Sequence, residues 1–269
     1  MSELVDTPRV TTRISDGIAE VTLSRPDKLN AFDSAMFEAV SAAGDELMQT
    51  EGLRAVILHG EGRGFCAGLD TAQLMAFAGR IDALREEINT PLPGRADNAF
   101  QHPCTVWADL PVPVIAALHG VTFGAGMQLA LGADIRIAHP DTRLSIMETR
   151  WGLIPDMGLS KLLPGLMRAD QALELILSAR IVEAAEAQSL GLVTRLAEDP
   201  LAAARETAKA IASRNPEAAR GAKALVRAAW PGGDAHLALE ARLQAEIIGS
   251  KNQIEAVMAE MQKRPPDFG

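Results

Sequence analysis

The chain has 269 residues, of which 48% are hydrophobic and 23% are charged, which is enough for one large hydrophobic core. Its formal net charge of -9 at pH 7 works against general nucleic-acid binding, because that binding depends on excess Lys and Arg. Cys66 and Cys104 form no disulfide or metal-binding pattern, and the five histidines stand singly, so we expect a reduced, cytoplasmic protein without a metal. The sequence has no apolar run of about 18 residues, and its N-terminus lacks a basic region followed by an apolar run. We therefore expect neither membrane insertion nor secretion.

Four short runs rich in β-branched residues, each ending at Gly or Pro, predict buried strands. A helix is predicted at residues 33–49, where apolar residues follow the helical period after Asp33 or Ser34 as the N-cap. Strands that alternate with helices indicate an α/β fold with largely parallel strands. The four strand runs are residues 18–26, 54–62, 112–120 and 135–140.

Residues 70–111 have a less regular pattern than the segments around them. Pro91, Pro93 and Gly94 predict that a helix breaks near Asn89 and that a surface excursion follows. This excursion is either a mobile lid over a pocket or an ordinary surface loop, and the sequence leaves both interpretations open.

From about Pro200 onward the strand signals stop and four helical patterns follow. We therefore divide the chain into a core, residues 1–200, that carries the ligand site and a C-terminal helical region, residues 201–269. The apolar stripes of these helices must pack on the same core or on another subunit, so we expect an oligomer. The four helices are predicted at residues 200–215, 216–230, 234–250 and 252–264.

Two glycine-rich turns each follow a predicted strand: GRGFCAGLD at residues 62–70 and GVTFGAGMQ at residues 120–128. Small residues let a ligand approach the backbone, and the second turn leads directly into a helix, whose first N–H groups favour an anion or a developing oxyanion. Neither turn has the pattern of a P-loop or of a dinucleotide-binding loop. Taken singly, each turn also fits an ordinary tight connection.

Gln128 is a polar residue in the first turn of that helix, among Met, Leu and Ala neighbours. Glutamine is a good helix former that solvent or the backbone can satisfy. By itself, therefore, Gln128 does not establish a functional site.

Four segments occur along the chain in a definite order: SRPDKLNAFD, GRGFCAGLD, PVPVIAALHGVTFGAGMQLALGADIRIA and METRWGLIPDMGLSKLLPGL. In order and spacing they resemble the enoyl-CoA hydratase/isomerase family, also called the crotonase superfamily, and AAEAQSLGLVTRL resembles a later helix and strand of that family. The resemblance extends from about residue 10 to at least residue 230. It implies an α/β crotonase-like spiral of ββα turns, whose C-terminal helices help to build a homotrimer or a dimer of trimers.

The resemblance also implies an acyl-CoA substrate, whose thioester carbonyl is held by the backbone N–H groups of Leu69 and Ala125. Donors of this kind stabilise a developing oxyanion by roughly 3 to 4 kcal/mol each. Coenzyme A is part of the substrate, so we expect no separate cofactor. Arg25 and Lys28 could meet the phosphates, although each fits a solvated turn equally well. The residues expected to contact the CoA part are Arg25, Lys28, Leu29, Cys66, Ala67, Gly68, Asp70 and Gly124.

Hydratases of the family use two glutamates, and the corresponding positions here are Gln128 and Glu148. An amide cannot exchange a proton near neutral pH, so Gln128 can orient water or a substrate group but cannot act as a base. Asp156 stands eight residues after Glu148, which is the interval between the Glu and Asp of the family's dienoyl-CoA isomerases. Those isomerases have a further Asp at the position of Gln128. The family's simpler enoyl-CoA isomerases use one carboxylate at the place of Glu148.

We therefore predict an enzyme that shifts a carbon–carbon double bond of an enoyl- or dienoyl-CoA through a thioester enolate. Glu148 is the expected proton-transfer group and Asp156 its partner, although Asp156 also fits a turn residue after Pro155. Two alternatives stay open. One is an enoyl-CoA hydratase in which Gln128 holds the water, and the other is a non-catalytic acyl-CoA binder kept for its oligomer surface.

Overall fold

The computed structural model describes residues 8–229 and 237–264, and within them nine strands form two sheets. The larger sheet has the strand order β1-β2-β3-β4-β6-β9, and the smaller has the order β5-β7-β8. The strands are β1 (Val10–Ser15), β2 (Ile18–Leu23), β3 (Ala55–Gly60), β4 (Val114–Leu118), β5 (Val121–Phe123), β6 (Ile135–Ala138), β7 (Arg143–Ser145), β8 (Val182–Glu183) and β9 (Arg195–Leu196).

The larger sheet is parallel from β2 to β9, and β1 joins its edge in the antiparallel direction. The four predicted strands correspond to β2, β3, β4 and β6, so the predicted α/β fold with largely parallel strands is confirmed. Strand β1 was not predicted because four of the six residues of its sequence, VTTRIS, are polar, as suits a partly exposed edge strand.

Helices surround the two sheets. The Asp33 side chain accepts a hydrogen bond of 2.9 Å from the N–H of Met36, so Asp33 is the N-cap of the first helix. Two short 3-10 helices cover Pro26–Lys28 and Glu148–Trp151. In the described residues the α-helices are α1 (Ser34–Met48), α2 (Thr71–Ala78), α3 (Ile81–Asn89), α4 (His102–Asp109), α5 (Ala125–Gly132), α6 (Leu159–Leu162), α7 (Ala169–Ser178), α8 (Ala184–Ser189), α9 (Pro200–Ala212), α10 (Pro216–Ala229), α11 (Leu237–Ile247) and α12 (Lys251–Gln262).

The four predicted C-terminal helices correspond to α9, α10, α11 and α12. Residue 230 and residues 234–236, which the predictions included, lie outside the described residues. The expected helix break near Asn89 is confirmed, because α3 ends there. Nothing in residues 8–229 and 237–264 forms a helix both long and apolar enough to cross a membrane.

The central strands β3 and β4 of the larger sheet are buried on both faces, as is usual in a parallel sheet. Along β3, Val56 and Leu58 face the main core, which also contains buried residues of α1, α4 and α5. The alternate residues Ala55 and Ile57 belong to a second cluster with Ala204 and Ala208 of α9. The first helix of the C-terminal region therefore packs on the same sheet that supports the glycine-rich turns.

The segment between α3 and α4 is anchored by a buried carboxylate, that of Asp97. Arg95 donates two hydrogen bonds to it, at 2.5 and 2.9 Å, and the Thr105 hydroxyl donates a third. The two ring nitrogens of His102 lie 3.0 Å from carboxylate oxygens of Asp97 and of Asp45 on α1. This network ties the segment to the core instead of leaving it as a loose loop.

Replacing Asp97 by Asn is expected to destabilise the fold by about 3 to 5 kcal/mol at neutral pH, the usual effect of removing one partner of a buried ion pair. Burial opposes ionisation, but hydrogen bonds from His102 and Arg95 outweigh it, so the pKa of Asp97 lies well below its usual range. A depressed carboxyl pKa stabilises the fold above the unfolded-state pKa, so the difference between wild type and variant should hold down to about pH 5 and shrink below about pH 4.

Urea unfolding followed by circular dichroism measures this difference. The control is Asp82→Asn, because the Asp82 side chain is fully exposed and its loss should change the free energy of unfolding by less than about 0.5 kcal/mol. A difference between wild type and the Asp97 variant that grows as the pH falls would contradict the account.

Candidate active site

The two glycine-rich turns lie side by side at one cavity of about 360 Å³. Parallel bridges join Cys66 to Thr122 and Phe32 to Leu69. Gly68 has a φ of +100°, and a Cβ placed on it would lie 2.9 Å from the Phe123 carbonyl oxygen. Only a residue without a side chain allows this approach, so glycine is required where the two turns meet.

The N–H groups of Leu69 and Ala125 come from these two turns, and both residues line the cavity. A Cβ on Gly68, the neighbour of Leu69, would lie 3.7 Å from the nitrogen of Ala125. Ala125 is the first residue of α5, so its N–H stands at the positive end of the helix dipole. No acceptor within residues 8–229 and 237–264 takes a hydrogen bond from either N–H. Two such donors can together hold one oxyanion.

Gln128 is buried, with 1% of its surface exposed, and both ends of its amide are hydrogen-bonded. Its Oε1 accepts the backbone N–H of Met157 at 2.8 Å, and its Nε2 donates to Oε1 of Glu148 at 2.6 Å. A backbone N–H can only donate, so it fixes the amide oxygen toward Met157 and the NH2 group toward Glu148. Gln128 therefore holds both ends of segment 148–157.

Glu148 begins the 3-10 helix that follows β7 and lines the cavity. A Cβ on Gly124 would lie 3.4 Å from its Oε1, so the carboxylate stands beside the start of α5. Asp156 lines the same cavity, in the irregular segment just before Met157. The structure thus brings Gln128, Glu148 and Asp156 to one cavity, and their catalytic roles stay predictions.

The predicted CoA-contacting residues divide into two groups. Arg25, Leu29 and Cys66 stand behind the cavity wall, where the Leu29 carbonyl accepts the N–H of Ala67 at 2.9 Å. The residues that line the cavity are Lys28, Ala67, Gly68, Asp70 and Gly124.

Arg25 is engaged within the protein. Its guanidinium donates to the Asp70 carboxylate at 2.7 Å and to the Ala31 carbonyl at 2.9 Å, and it lies 3.4 Å from the Asp33 carboxylate. Asp70 also caps α2 by accepting the N–H of Ala72. Arg25 thus holds the first glycine-rich turn against α1, and its contact with a CoA phosphate stays a prediction.

Cys66 is fully buried, and its thiol donates to the Asn30 carbonyl at 3.1 Å. Burial raises the pKa of this thiol to about 12. A Cβ on Gly126 would lie 2.6 Å from the Cys66 Cβ, so α5 packs directly on the first turn. The Cys66 side chain therefore supports the site from behind and does not reach the cavity.

Part of the cavity wall is apolar, and its individual side chains were not predicted from the sequence. Phe37 of α1 and Phe77 of α2 each contact the ring of Phe100 edge to face, with centroids 5.6 and 5.8 Å apart. Leu84 and Ile88 of α3 complete this wall, together with Ile248 just after α11. The four-residue spacing of Leu84 and Ile88 marks one helix face. Nothing in the sequence indicates that α11 lies opposite.

Two apposed N–H donors with a carboxylate beside them are the parts of an acid–base enzyme that acts on a carbonyl compound. The family model described as enoyl-CoA hydratase/isomerase matches residues 13–269, and the chain belongs to this family.

Individual relatives agree with this assignment. A probable enoyl-CoA hydratase of Rhodobacter capsulatus is 36% identical over 262 residues, which cover 95% of each chain. The mitochondrial methylglutaconyl-CoA hydratase of Mus musculus is 29% identical, and the match covers 94% of this chain and 79% of that protein.

Solved structures confirm the crotonase-like fold. A putative enoyl-CoA hydratase from Streptomyces coelicolor A3(2) has a TM-score of 0.74 at 34% identity, covering 100% of this chain and 98% of its own. An enoyl-CoA hydratase/isomerase from Mycobacterium paratuberculosis has a TM-score of 0.82 at 22% identity, covering 94% and 98%. This second likeness concerns the fold alone.

Gly68→Ala is expected to separate the two turns and to lower kcat/KM for an acyl-CoA substrate by about 100- to 1,000-fold, the effect of losing one oxyanion donor. Gly94→Ala is the matched control, because Gly94 also has a positive φ, +73°, but open space around it. Steady-state kinetics and the thermal midpoint should be measured for both variants. Equal losses of activity in the two variants would mean that backbone strain, and not the approach of the turns, causes the effect.

Proposed function

We propose that this protein shifts the carbon–carbon double bond of an enoyl- or dienoyl-CoA by proton transfer. The observation that carries the proposal is the orientation of Gln128. Both ends of its amide are hydrogen-bonded, and its NH2 group donates to Glu148. The pair of residues 128 and 148 therefore offers one carboxylate, that of Glu148, and not two, to move protons. Moving a double bond needs one proton removed and one returned, and a single carboxylate can do both.

The reaction begins when the thioester carbonyl of a 3-enoyl-CoA lies against the N–H groups of Leu69 and Ala125. Glu148 takes a proton from the α-carbon, and the electron pair of that C–H bond enters a dienolate. Its negative charge gathers on the thioester oxygen, where two preorganised donors stabilise it. These donors are backbone groups, so the side chains of Leu69 and Ala125 need only leave the approach open.

Glu148, now protonated, gives the proton to the γ-carbon, and the double bond ends between the α- and β-carbons. Substrate and product are isomers, so the reaction consumes no water and needs no electron acceptor. Coenzyme A enters only as part of the substrate. In a dienoyl-CoA the one carbon that receives a proton lies farther along the chain, and Asp156 on the same cavity is the proposed acid there, while Glu148 still takes the α-proton.

Gln128 is the positioning residue in this proposal. Its NH2 group orients one carboxylate oxygen of Glu148, and the Met157 N–H keeps the amide from turning. Lys28, the cation on the cavity lining, is the proposed partner of a CoA phosphate. A homotrimer or dimer of trimers in the cytoplasm remains the proposed setting.

Hydration is the second candidate, and the names of the relatives favour it, since the protein of Rhodobacter capsulatus is described as a probable enoyl-CoA hydratase. In that reaction Gln128 would orient a water molecule that Glu148 deprotonates. The product would be a 3-hydroxyacyl-CoA, which differs from the isomerisation product by one molecule of water.

Glu148→Gln is expected to lower kcat for isomerisation of a 3-enoyl-CoA by about 100- to 10,000-fold, because the variant cannot accept the α-proton. The reaction is followed in deuterated water by absorbance and mass spectrometry. Glu38→Gln is the control, since Glu38 is exposed on α1 and does not line the cavity. Full activity of the Glu148 variant, or a hydroxyacyl product from wild type, would overturn the proposal.

Gln128→Leu is expected to lower kcat by about 100-fold with little change in KM, because a displaced Glu148 carboxylate misses the near-attack geometry. Gln128→Glu keeps an acceptor for the Met157 N–H and adds the second carboxyl of the family's hydratases, so the ratio of hydration to isomerisation should rise. The kcat of Gln128→Leu comes from steady-state kinetics, and the ratio of hydration to isomerisation in Gln128→Glu comes from product analysis with 2-enoyl- and 3-enoyl-CoA. An unchanged kcat in Gln128→Leu would show that holding Glu148 is unimportant.

A further inference from the structure

A buried glutamine that the proposed reaction does not use, Gln244 of α11, lines the active-site cavity, and 3% of its surface is exposed. The end of α11 is held in place by Arg85 of α3. The Arg85 guanidinium donates to the carbonyls of Ala245 and Ile248 at 3.0 and 2.9 Å. The backbone that carries Gln244 is therefore anchored at the cavity.

The side-chain amide of Gln244 has a fixed orientation. Its Oε1 accepts the backbone N–H of Ile154 at 3.3 Å. Because a backbone N–H can only donate, this bond keeps the oxygen toward Ile154 and leaves the NH2 group to point elsewhere. No acceptor within residues 8–229 and 237–264 takes a hydrogen bond from Nε2, and this nitrogen keeps access to open space, which at this residue is the cavity.

The cavity wall around Gln244 is apolar. Ile248 lies one turn farther along the chain, and Leu84, Ile88 and Leu153 belong to the same wall. A hydrocarbon chain that filled this space would leave the Gln244 NH2 group buried without an acceptor, which is unfavourable. An oxygen atom on the ligand would instead accept a hydrogen bond there.

The charges of the cavity favour a neutral oxygen over a carboxylate. Lys28 is the one cation among the described residues of the lining, and it is the proposed partner of a CoA phosphate. Glu148 and Asp156 place two carboxyl groups on the same cavity. A carboxylate on the acyl chain would meet these like charges without a cation to pair with, whereas a carbonyl or hydroxyl oxygen carries no charge to bury.

We propose that Gln244 is a specificity-determining residue whose NH2 group donates a hydrogen bond to a neutral oxygen on the acyl chain. This oxygen is additional to the thioester oxygen, which lies against the N–H groups of Leu69 and Ala125. The substrate class is thus an acyl-CoA that carries an oxo or hydroxyl group on a carbon outside the double-bond shift. The inference rests on the proposed function only in taking an acyl-CoA as the ligand.

The first test uses saturated ligands, which have no double bond and cannot be isomerised. Isothermal calorimetry compares octanoyl-CoA with its 5-oxo, 6-oxo and 7-oxo derivatives on the wild-type protein. At least one derivative should bind about tenfold more tightly than octanoyl-CoA, because a site built to hydrogen-bond a ligand group disfavours the analogue that lacks it. If no derivative binds more tightly than octanoyl-CoA, the inference is overturned. Failure of all four ligands to bind overturns the proposed function as well.

The second test removes the donor. Gln244→Met keeps the length of the side chain, and it should bind octanoyl-CoA about threefold to tenfold more tightly than wild type, because no donor is left without an acceptor. A damaged fold would not produce such a gain. Gln253→Met is the matched control: Gln253 is also buried and its Oε1 also accepts a backbone N–H, that of Gly249 at 3.0 Å, but it does not line this cavity.

The ratio of the two affinities separates recognition from a purely structural role. If Gln244 only held Ile154, its loss would change the binding of octanoyl-CoA and of the oxo derivative alike. The preference for the oxo derivative should instead fall by about tenfold in Gln244→Met and stay unchanged in Gln253→Met. An unchanged preference in Gln244→Met, or an equal fall in both variants, overturns the inference.

Discussion

The candidate active site depends on the two hydrogen bonds of one buried amide, that of Gln128. The backbone N–H of Met157 fixes the amide oxygen, and this leaves the NH2 group to hold the Glu148 carboxylate. A carboxylate at position 128 would instead set two acids side by side, which suits the activation of water. The amide cannot take up or release a proton near neutral pH, so in the proposed reaction proton transfer falls to Glu148, with Asp156 on the same cavity.

The fold places this amide through the close contact of two glycine-rich turns. Parallel strands β3 and β4 bring the turns to the same edge of the sheet, and Gly68 lets their backbones touch. Arg25 holds the first turn through Asp70, and Cys66 packs beneath the second. The side chains of Arg25 and Cys66 do not line the cavity, yet they support the two turns that carry the N–H donors beside Glu148. The expected oxyanion site is therefore a property of backbone geometry more than of side-chain identity.

Much of this arrangement could be predicted from the sequence, because it follows from local patterns. The strands ending at Gly or Pro and the Asp33 cap are of this kind, whereas the carboxylates at positions 148 and 156 were singled out by the resemblance to the family. The remainder depends on contacts between distant segments. Ile248 reaches the cavity wall because α11 packs on α3, and Arg25 turns inward because two acids from other segments approach it. The Asp97 and His102 network likewise joins α1, α4 and the segment between α3 and α4.

The most direct measurement is mass spectrometry of the products formed from 2-enoyl- and 3-enoyl-CoA in water enriched in heavy oxygen. Isomerisation rearranges hydrogen alone, so the account predicts interconversion of the two substrates with no heavy oxygen in any product. Hydration would place a labelled hydroxyl group on the β-carbon. Heavy oxygen in the main product would contradict the claim that an amide at position 128 leaves Glu148 to transfer protons without adding water.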